Sequence, residues 1–425
     1  MEKILNQEGV DQFGLFPAFS AGIWLKKPNI DDESIITAMK LFSGWGIPGA
    51  NRFYALNYFE PELNENHLNS LVSTNLSTGL RIAPNARWEI VEEWNMGFRT
   101  EWLNSDLKFN VTYFDRLRKN VAYLTPDENT LQWNHSGRVH NSGYELDMNY
   151  KKDLSQIGLF AGFNMQINSS KVLSLDELNS EQIGFYPENS GFSSPLKVFK
   201  QGAAPGVFWG YVSEEIVQKE PAFIAQDETK SLFYRDLSPE SGDIKFKDFD
   251  GNGIIDENDM SVIGNPNPDV TYTLNGGVIF DSFDFVFVLN GVSKGDIFNL
   301  DKTWNEASGG FSNRSVSITD RWTLFNPSAT VPRVHFDDPN NNNRPHSGMI
   351  ENGSFFRIKR IEFGHYFNSK NGNKNRVYIS AYDVLTITPY NGSAPYLGNR
   401  LNSQGLDYGL MPARLTLMVG LQLGI

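Results

Sequence analysis

The fold is decided by the acidic loop Asp248-Phe-Asp-Gly-Asn-Gly-Ile-Ile-Asp-Glu-Asn-Asp259, the segment Ile263-Gly-Asn-Pro-Asn-Pro-Asp269 and the two alternating strands that follow, up to Asn290. The strands are separated by a tight Asp281-Ser282 turn. Each places its larger apolar residues on one face, namely Val270, Tyr272, Leu274, Gly276, Val278 and Phe280 in the first and Phe283, Phe285, Phe287 and Leu289 in the second. An amphipathic hairpin beside an acidic loop indicates an outer-membrane β-barrel with ordered external loops.

Other segments show the same period of two over lengths of about ten residues, which is what a tilted strand needs to cross a bilayer. Soluble β-sandwich strands also alternate, but they typically have about five or six residues, so strand length favours a membrane barrel. A final alternating segment predicts a strand that closes a barrel. The predicted strands carry Leu107, Phe109, Val111 and Tyr113; Tyr144, Leu146, Met148 and Tyr150; Ile157 to Ile167; and Leu415, Leu417, Val419, Leu421, Leu423 and Ile425.

The connections between these strands are of two kinds. Lys151-Lys-Asp-Leu-Ser155 is a short polar turn, the kind that bacterial barrels carry on the periplasmic side. Ser169–Lys230 and Phe298–Asn352 are long and rich in Gly, Pro, Asn and Ser, and they are predicted to be extracellular loops. This difference is expected of a barrel with one rim facing the cell exterior.

Composition excludes several other classes of protein. A net charge of −13 without a cluster of Lys and Arg argues against nucleic-acid binding. The absence of cysteine excludes disulfides and thiolate metal sites. No apolar run reaches the length of a transmembrane helix. The first residues, Met1-Glu-Lys-Ile-Leu-Asn-Gln-Glu8, do not read as a secretory signal.

About ten motifs, in order along nearly the whole chain, resemble the C-terminal half of SusC/RagA-type TonB-linked outer-membrane transporters of Bacteroidetes. The hairpin stretch matches this family in its Gly-Asp-Ile-Lys, Gly-Asn-Gly and Ile-Gly-Asn-Pro-Asn-Pro pieces. The other pieces are Phe13-Gly-Leu-Phe-Pro-Ala-Phe-Ser-Ala-Gly22, Trp88-Glu-Ile-Val-Glu-Glu-Trp-Asn-Met-Gly-Phe98, Tyr113-Phe-Asp-Arg116, Asn141-Ser-Gly-Tyr-Glu-Leu-Asp147, Gly206-Val-Phe-Trp-Gly-Tyr211, Asp320-Arg-Trp-Thr323, Asp338-Pro-Asn-Asn-Asn-Asn343, Glu351-Asn-Gly-Ser-Phe-Phe-Arg-Ile-Lys359, Arg376-Val-Tyr-Ile-Ser380 and Gly405-Leu-Asp-Tyr-Gly409.

The resemblance implies an all-β fold, an antiparallel transmembrane β-barrel in the outer membrane of a Gram-negative bacterium. Large transporters of this kind have 22 strands, whereas roughly 11 to 13 are recognisable here. We therefore expect residues 1–425 to be the C-terminal portion of the barrel, without the plug, TonB box and signal peptide of a full-length member. An open half-barrel would leave unpaired backbone groups in lipid. The remainder is expected from a longer reading frame or from a second polypeptide.

The resemblance also implies function: TonB-dependent import of an oligosaccharide or peptide, with a SusD-like surface lipoprotein as partner. The TonB complex would act through the N-terminal part of the receptor. The alternative is a non-transporting barrel that serves as an adhesin or an assembly scaffold. An enzyme is not expected, because the six histidines show no ligand spacing such as HExxH and no nucleophile elbow is present.

The acidic loop is the candidate metal site, and the metal it predicts is a structural Ca²⁺. Oxygen ligands at loop positions 1, 3, 5, 7, 9 and 12, with Gly at 6, suit this hard cation. The alternative is a solvated Asp/Asn/Gly turn, since position 12 is Asp instead of Glu and no helices flank the loop. No cofactor is otherwise required. The predicted ligands are Asp248, Asp250, Asn252, the carbonyl of Ile254, Asp256 and Asp259, with Gly253 at the turn.

Aromatic residues in or near the long loops are the candidate substrate contacts, because rings stack on sugars and pack against peptide side chains. Each could equally be an interface-girdle or loop-packing residue. The candidates are Trp209, Tyr211, Trp304, Phe311 and Trp322. A metal cluster of His335 and His346 with Asp337 and Asp338 is a further hypothesis, for which a polar loop is the simpler explanation.

Overall fold

The computed structural model describes residues 15–28, 34–50, 80–82, 89–127, 130–175, 182–185, 192, 194–218, 239–306, 314–368, 372–397 and 404–424. Within these ranges no helix is both long and apolar enough to cross a membrane. One α-helix, α1, spans Leu300–Glu306, and 3₁₀ helices span Glu257–Asp259, Val316–Asp320 and Ser347–Met349. The strands are β1 (Ala18–Lys26), β2 (Ile36–Gly46), β3 (Gly49–Ala50), β4 (Leu80–Ile82), β5 (Glu89–Trp102), β6 (Leu107–Asp127), β7 (Thr130–Leu154), β8 (Ile157–Leu175), β9 (Gln182–Phe185), β10 (Lys197–Lys200), β11 (Val207–Gly210), β12 (Ser213–Ile216), β13 (Ile244–Phe246), β14 (Ser261–Gly264), β15 (Val270–Phe280), β16 (Phe283–Ser293), β17 (Asp296–Asn299), β18 (Ile350–Asn352), β19 (Phe355–Asn368), β20 (Lys374–Ile387), β21 (Leu406–Asp407) and β22 (Thr416–Gln422).

Eleven strands form one continuous antiparallel wall in the order β1-β2-β5-β6-β7-β8-β15-β16-β19-β20-β22, and β3 and β4 attach to it off this path. The hairpin predicted around Asp281-Ser282 is confirmed, with Phe280 opposite Phe283 and Val278 opposite Phe285. Asp281 has φ 52°, a left-handed conformation that Asp tolerates better than most residues. The all-β barrel wall predicted from period-two patterning is therefore present.

Three strand boundaries differ from prediction. The turn predicted at 151–155 lies at Ser155–Gln156, because β7 continues to Leu154 and pairs there with Ile157. The loop predicted to begin at 169 begins after Leu175, where β8 ends. The last strand is Thr416–Gln422, shorter than predicted, and Ile425 lies outside the described residues. Polar side chains led the sequence interpretation to end β7 and β8 too early.

The wall has a short-turn rim and a long-loop rim. The turns 103–106, 155–156 and 281–282 lie at the first rim, and so do the end of β19 at Asn368 and the start of β20 at Lys374. The connections β8–β15, β16–β19 and β20–β22 all lie at the other rim, because neighbouring strands are antiparallel. This asymmetry confirms the predicted alternation of short turns and long loops.

The long connections fold into what we call the loop layer, comprising residues 182–185, 192, 194–218, 239–269, 294–306, 314–354, 388–397 and 404–415. It contains three small sheets, β14-β11-β10-β9, β12-β13 and β18-β17-β21. Two apolar clusters lie inside it, one around Val198, Trp209 and Phe246 and one around Phe208, Phe298 and Leu406. The loops predicted from their polar composition thus have hydrophobic cores of their own.

The two faces of the wall differ in chemistry. One row across four neighbouring strands carries Phe285, Phe363, Ile379 and Val419, which are 36%, 49%, 50% and 75% exposed. The opposite face carries buried Asp284, Glu362, Arg376 and Ser380. Because apolar and polar residues alternate between lipid and lumen in a membrane barrel, the first face is the lipid face and the second is the lumen face.

An aromatic band crosses the lipid face near the long-loop rim. Trp45 pairs with Trp94, and the Trp94, Tyr113 and Tyr144 rings follow one another at centroid distances of 6.0 and 5.2 Å. Just beyond this band, Arg116 and Lys119 of β6 form ion pairs with Glu93 and Glu92 of β5, at 3.1 and 2.7 Å. Aromatic rings followed by charges mark the interface between membrane and water.

The lumen face near the short-turn rim carries a buried ion network centred on Arg376 of β20. Its guanidinium donates to both carboxylate oxygens of Asp284, at 2.9 and 2.5 Å, and to Glu362 at 2.7 Å. Glu362 also accepts from Ser380 at 2.5 Å and from Arg360. At Gly364 a Cβ would overlap the Asp284 carboxylate and the Arg376 guanidinium, so glycine leaves the space that this network needs.

Replacing Arg376 with Leu is expected to lower the free energy of unfolding by about 3–5 kcal/mol, because buried Asp284 loses its cation and buried Glu362 keeps only Arg360. The measurement is the urea unfolding midpoint in phospholipid vesicles. Lys151→Leu is the matched control, since its pair with Asp153 is 75% and 77% exposed and such pairs contribute about 0–1 kcal/mol. Equal midpoints for Arg376→Leu and wild type would contradict this assignment.

Candidate functional site in the loop layer

Three of the five aromatic candidates are buried in the loop layer. Trp209 and Tyr211 are 6% exposed and Trp322 is 9% exposed. Trp304 lies in α1, but its side chain is outside the described part of the chain, and so is the whole of Phe311. The prediction that these rings contact substrate stays a prediction, and the described rings have packing roles in the structure.

Trp209 and Tyr211 occupy one apolar cluster with Val198, Ile244 and Phe246. The Tyr211 and Phe246 rings meet edge to face at 5.8 Å. The Arg344 guanidinium lies over both rings, 4.2 Å from the Phe246 centroid and 5.0 Å from that of Tyr211. Such cation–π contacts are strongest away from water. The cluster therefore joins the 207–211 segment to the 344–346 segment.

Trp322 connects the 322–331 segment to the rest of the loop layer through hydrogen bonds. Its indole N–H donates to the Gln218 side chain at 3.2 Å, and its backbone N–H donates to the Val331 carbonyl at 2.8 Å. Gly242, with φ 91°, lies against the indole ring so closely that a Cβ would overlap it. The Gly of the family-like Gly-Asp-Ile-Lys run is thus required both for its backbone conformation and for this contact.

Asp243 is the polar centre that joins two loops of the layer. It is 1% exposed and accepts from Arg333 Nε at 2.7 Å, Arg333 Nη2 at 3.0 Å and Asn342 Nδ2 at 3.0 Å. Asn342 Oδ1 accepts from the Ile244 N–H at 2.9 Å, and Asn340 Nδ2 donates to the Ile244 carbonyl at 3.1 Å. The asparagine run therefore satisfies the backbone of β13, a role that sequence reasoning missed.

The hypothesis of a His335 and His346 metal cluster finds no support. Nδ1 of His335 accepts from the Asp337 N–H and Nδ1 of His346 from the Gly348 N–H. Burial and the nearby Arg344 and Lys302 charges lower the pKa of His346 to about 3, so this ring is neutral. Asp338 accepts from the backbone N–H groups of Asn342 and Asn343. These side chains shape the loop.

The acidic loop brings three of its predicted ligands together. Carboxylate oxygens of Asp248, Asp250 and Asp259 lie within 4.8 Å of one another, and among the described residues this is the one such group of three. Asp248 accepts from the N–H groups of Gly251 and Gly253 at 2.6 and 2.8 Å. Asn252 Oδ1 accepts from Ile254 N–H at 2.6 Å. The backbone thus winds around the acidic side chains.

Asp256 and Asp259 have different surroundings in this loop. Asp256 caps the 3₁₀ turn 257–259 by accepting from Asn258 N–H at 2.7 Å, and it is not one of the three converging carboxylates. Asp259 is fully buried and accepts from the N–H groups of Phe249 and Asp256 at 2.7 and 2.9 Å. Burial, with Asp248 and Asp250 nearby, raises the pKa of Asp259. A cation among these oxygens would offset the free-energy cost of keeping the buried Asp259 carboxylate charged beside two others.

Sequence and fold comparisons identify the class of protein. A family described as "TonB dependent receptor-like, beta-barrel" matches residues 43–211. The chain is 24% identical to TonB-dependent receptor P3 of Formosa agariphila over 97% of its own length and 42% of that protein. It is also 24% identical to receptor P26 of the same organism, over 83% of this chain and 36% of that protein. The chain is therefore similar to TonB-dependent receptors over nearly its whole length, and its residues 43–211 match the β-barrel of that family.

Solved structures agree on the fold. The chain superposes on the RagAB peptide transporter with a TM-score of 0.72 at 17% identity, over 96% of this chain and 43% of that one. The RagAB peptide importer in its open-open state gives a TM-score of 0.69 at 16% identity, over 96% and 42%. The resemblance to TonB-dependent receptors, the barrel fold and the outer-membrane location predicted from sequence are confirmed. TonB-dependent receptors are transporters rather than enzymes.

Buried polar groups hold the β20–β22 loop in place. Tyr390 donates to Asp407 at 2.5 Å, and burial together with this bond raises the pKa of Tyr390. The other oxygen of Asp407 accepts from the Gly409 and Leu410 N–H groups. Glu351 accepts from Asn391 N–H at 2.9 Å. These bonds join the 388–410 loop to the β18-β17-β21 sheet.

Lys197 links the same loop to β10. It is 2% exposed, and its ammonium group donates to the Gln404 carbonyl at 2.8 Å and lies 5.9 Å from the centre of the Phe208 ring. Burial lowers its pKa to about 8. A charged amine buried between two loops makes the stability of the layer sensitive to pH.

The free energy of unfolding of the loop layer is expected to rise between about pH 8 and pH 10.5. In this window the unfolded chain still holds the Lys197 proton and the folded receptor has released it. Below pH 8 Lys197 is charged in both the folded and the unfolded state, so the full free-energy cost of burying its charge remains. From a pKa lowered to about 8, the rise amounts to roughly 3 kcal/mol.

This pH dependence is checked by urea unfolding followed through tryptophan fluorescence, since Trp209 and Trp322 are buried in the layer. Lys197→Met should be more stable than wild type at pH 7.5 and should show a smaller rise towards pH 10.5. Lys200→Met, a partly buried lysine in the same strand, is the matched control and should keep the wild-type rise. An unchanged pH profile in Lys197→Met would refute the assignment.

Proposed function

We propose that the receptor imports oligosaccharides or peptides across the outer membrane with energy from the TonB complex, together with a SusD-like surface lipoprotein. The observation that carries the proposal is the match of 96% of this chain to the RagAB peptide transporter, long-loop rim included. At 17% identity that likeness concerns fold alone, so the solute class and the partner come from analogy. The chain spans 42% of the length of the P3 relative.

In this proposal residues 1–425 are the C-terminal portion of the barrel and supply wall and loops. The plug and the segment that contacts TonB belong to the rest of the receptor. The loop layer is suited to a capture surface, because its apolar clusters and the Asp243 network hold the loops in defined positions. Solute would be captured between lipoprotein and loop layer, and plug movement would then open the lumen.

The test is uptake by the native bacterium after disruption of the receptor gene. Fluorescein-labelled peptide and oligosaccharide mixtures are supplied separately, with and without a protonophore. Loss of uptake of one mixture, both in the disrupted strain and after protonophore treatment, supports import and identifies the solute class. Undiminished uptake of both mixtures would reject import. Co-purification of a surface lipoprotein with the tagged receptor tests the partner.

An adhesin or assembly scaffold is the second candidate, and one observation favours it. The turn Thr323–Asn326 presents Leu324 and Phe325, which are 81% and 99% exposed at the outer rim. Such an exposed apolar tip suits contact with another protein. That protein could be an attachment target or a lipoprotein partner. If gene disruption leaves uptake intact and abolishes surface attachment, the adhesin function replaces the importer.

We further propose that the acidic loop holds a structural Ca²⁺. Asp248, Asp250 and Asp259 are the carboxylates whose oxygens converge, and Asn252 and the Ile254 carbonyl would complete an oxygen set of the kind that Ca²⁺ takes. The site joins β13 and β14, two strands of the loop layer. Its role would be to hold this part of the layer in shape.

Chelation is expected to lower the stability of the loop layer, and Ca²⁺ should restore it. At a free Ca²⁺ concentration 100-fold above Kd the stabilisation is about 2.7 kcal/mol. The measurement is thermal unfolding followed by tryptophan fluorescence, with EGTA and then with excess Ca²⁺ or Mg²⁺. Asp259→Asn should abolish the Ca²⁺ effect, and Asp337→Asn, in a neighbouring loop, should retain it. A wild-type melting curve that EGTA leaves unmoved would remove the metal.

A further inference from the structure

A cavity of about 330 Å³ lies on the lumen face of the wall, at strands β2, β5, β6 and β7. It is near the short-turn rim, because Arg99 and Lys108 flank the 103–106 turn between β5 and β6. Cavities of this size are at the lower end of those that hold small ligands. Its polar lining consists of Lys40, Arg99, Lys108, Asn110, Asp147 and Asn149.

Strand register brings these side chains together. Lys40 lies opposite Arg99, Arg99 opposite Asn110, and Asn110 opposite Asp147, so one row crosses four strands. Lys108 and Asn149 lie opposite each other in the next row on the same face. Paired residues on one face of a sheet have neighbouring side chains. The cavity is therefore a property of the wall itself and does not depend on a loop conformation.

The lining carries three cations and one carboxylate. Asp147 already accepts from Asn149 Nδ2 at 2.6 Å and from Asn164 Nδ2. In the described part of the chain, Lys40 and Lys108 form no ion pair: the Lys40 ammonium lies 5.4 Å from the centre of the Trp24 ring, and Lys108 lies opposite Glu101 in strand register. Arg99 approaches Glu101 at 3.7 Å, whereas charge-assisted hydrogen bonds are about 2.7–2.9 Å long. The cavity thus has an excess of positive charge.

A cation elsewhere in the wall has closely paired carboxylates. On β20, Arg376 is surrounded by Asp284 and Glu362 at 2.5–2.9 Å. The cations at β2, β5 and β6 lack this arrangement, which leaves their donors available. The cavity also contains an acceptor in need of a donor, because the buried Oδ1 of Asn110 has no hydrogen-bond partner in the described part of the chain. Unsatisfied buried polar atoms call for an explanation such as a ligand.

We propose that this cavity is a binding site for a carboxylate group that has an N–H or O–H donor beside it. The carboxylate takes hydrogen bonds from Arg99, Lys40 and Lys108, and the donor reaches Asn110 Oδ1. Asp147 in the same lining repels a doubly charged phosphate and accommodates a single charge with a neighbouring donor. The proposal rests on the wall alone and is independent of import.

Two sources could bring this carboxylate. A transported solute with an acidic group, such as a peptide or a uronic-acid sugar, could occupy the site in passing. An Asp or Glu in another segment of the same receptor could also occupy it from within the lumen. The chemistry at Arg99, Lys40 and Lys108 is the same, so the experiment has one arm for each source.

The first arm measures calorimetric binding of tri-glutamate and tri-glutamine to the purified receptor in detergent at low salt. If solute is the source, tri-glutamate binds at least about tenfold more tightly, which is the scale of one or two charge-assisted hydrogen bonds. Lys40→Gln/Lys108→Gln removes the preference and Lys40→Arg/Lys108→Arg restores it. Lys151→Gln, an exposed lysine outside the lining, keeps it.

The second arm treats the receptor, without added peptide, with a zero-length carbodiimide and maps the cross-links by mass spectrometry. A cross-link from Lys40 or Lys108 to a receptor carboxylate other than Asp147 or Glu101 identifies an internal source. Folding of each variant is verified by heat-modifiable migration on gels. The proposal is overturned if no such cross-link forms and tri-glutamate is not preferred, or if the preference survives in the folded Lys40→Gln/Lys108→Gln variant.

Discussion

Backbone hydrogen bonding in lipid is the constraint on which the rest of this structure depends. Each N–H and C=O at membrane depth must find a partner within the protein, because the bilayer core offers none. The wall meets this demand with long antiparallel strands, of which β6 and β7 have 21 and 25 residues. A strand so paired has two faces only, so the sequence must alternate between lipid and lumen. The row Phe285, Phe363, Ile379 and Val419 and the buried Asp284–Glu362–Ser380 side follow from this requirement.

The same constraint explains why the two larger hydrophobic clusters lie in the loop layer. Within the membrane, apolar wall residues face lipid and the lumen face is polar, and the one cluster that wall residues form, Val139, Val172 and Leu175, lies at the outer ends of β7 and β8 in the described part of the chain. Long connections at the outer rim are in water, where they must bury apolar surface to hold one conformation. The loop layer does so around Trp209 and Phe246 and around Phe208 and Phe298. Hydrogen bonds and ion pairs then fix how the loops meet. Asp243 accepts from both Arg333 and Asn342, and Tyr390 donates to Asp407. Packing and polar pairing thus give surface loops the order of a small domain.

Much of the wall was predictable from residue alternation, and much of the loop layer was not. The 270–293 hairpin was predicted with its turn and faces, since register follows from period two and a tight turn. Strand ends were missed where polar residues continue a strand beyond the membrane, as in β8 up to Leu175. Burial of Trp209 and Tyr211 could not be read from their loop context, because it depends on Ile244, Phe246 and Arg344 from distant segments. Convergence of Asp248, Asp250 and Asp259 was predictable from local spacing, and the capping role of Asp256 was not.

The aromatic band fixes where charges lie with respect to the membrane. Trp94 belongs to the band near the outer rim, and Arg99 follows it by five residues along β5, or about 17 Å of strand. The cationic cavity is therefore deep in the lumen, far from the loop layer. Arg376 is likewise near the short-turn rim, but there Asp284 and Glu362 neutralise it. Two cationic groups at similar depth thus have opposite surroundings in one wall. A cation in a confined lumen attracts anions more strongly than one in bulk water. The Arg376 side, with its two close carboxylates, therefore stabilises the wall. The Lys40–Arg99–Lys108 side, where Arg99 approaches Glu101 at 3.7 Å, remains open to a partner.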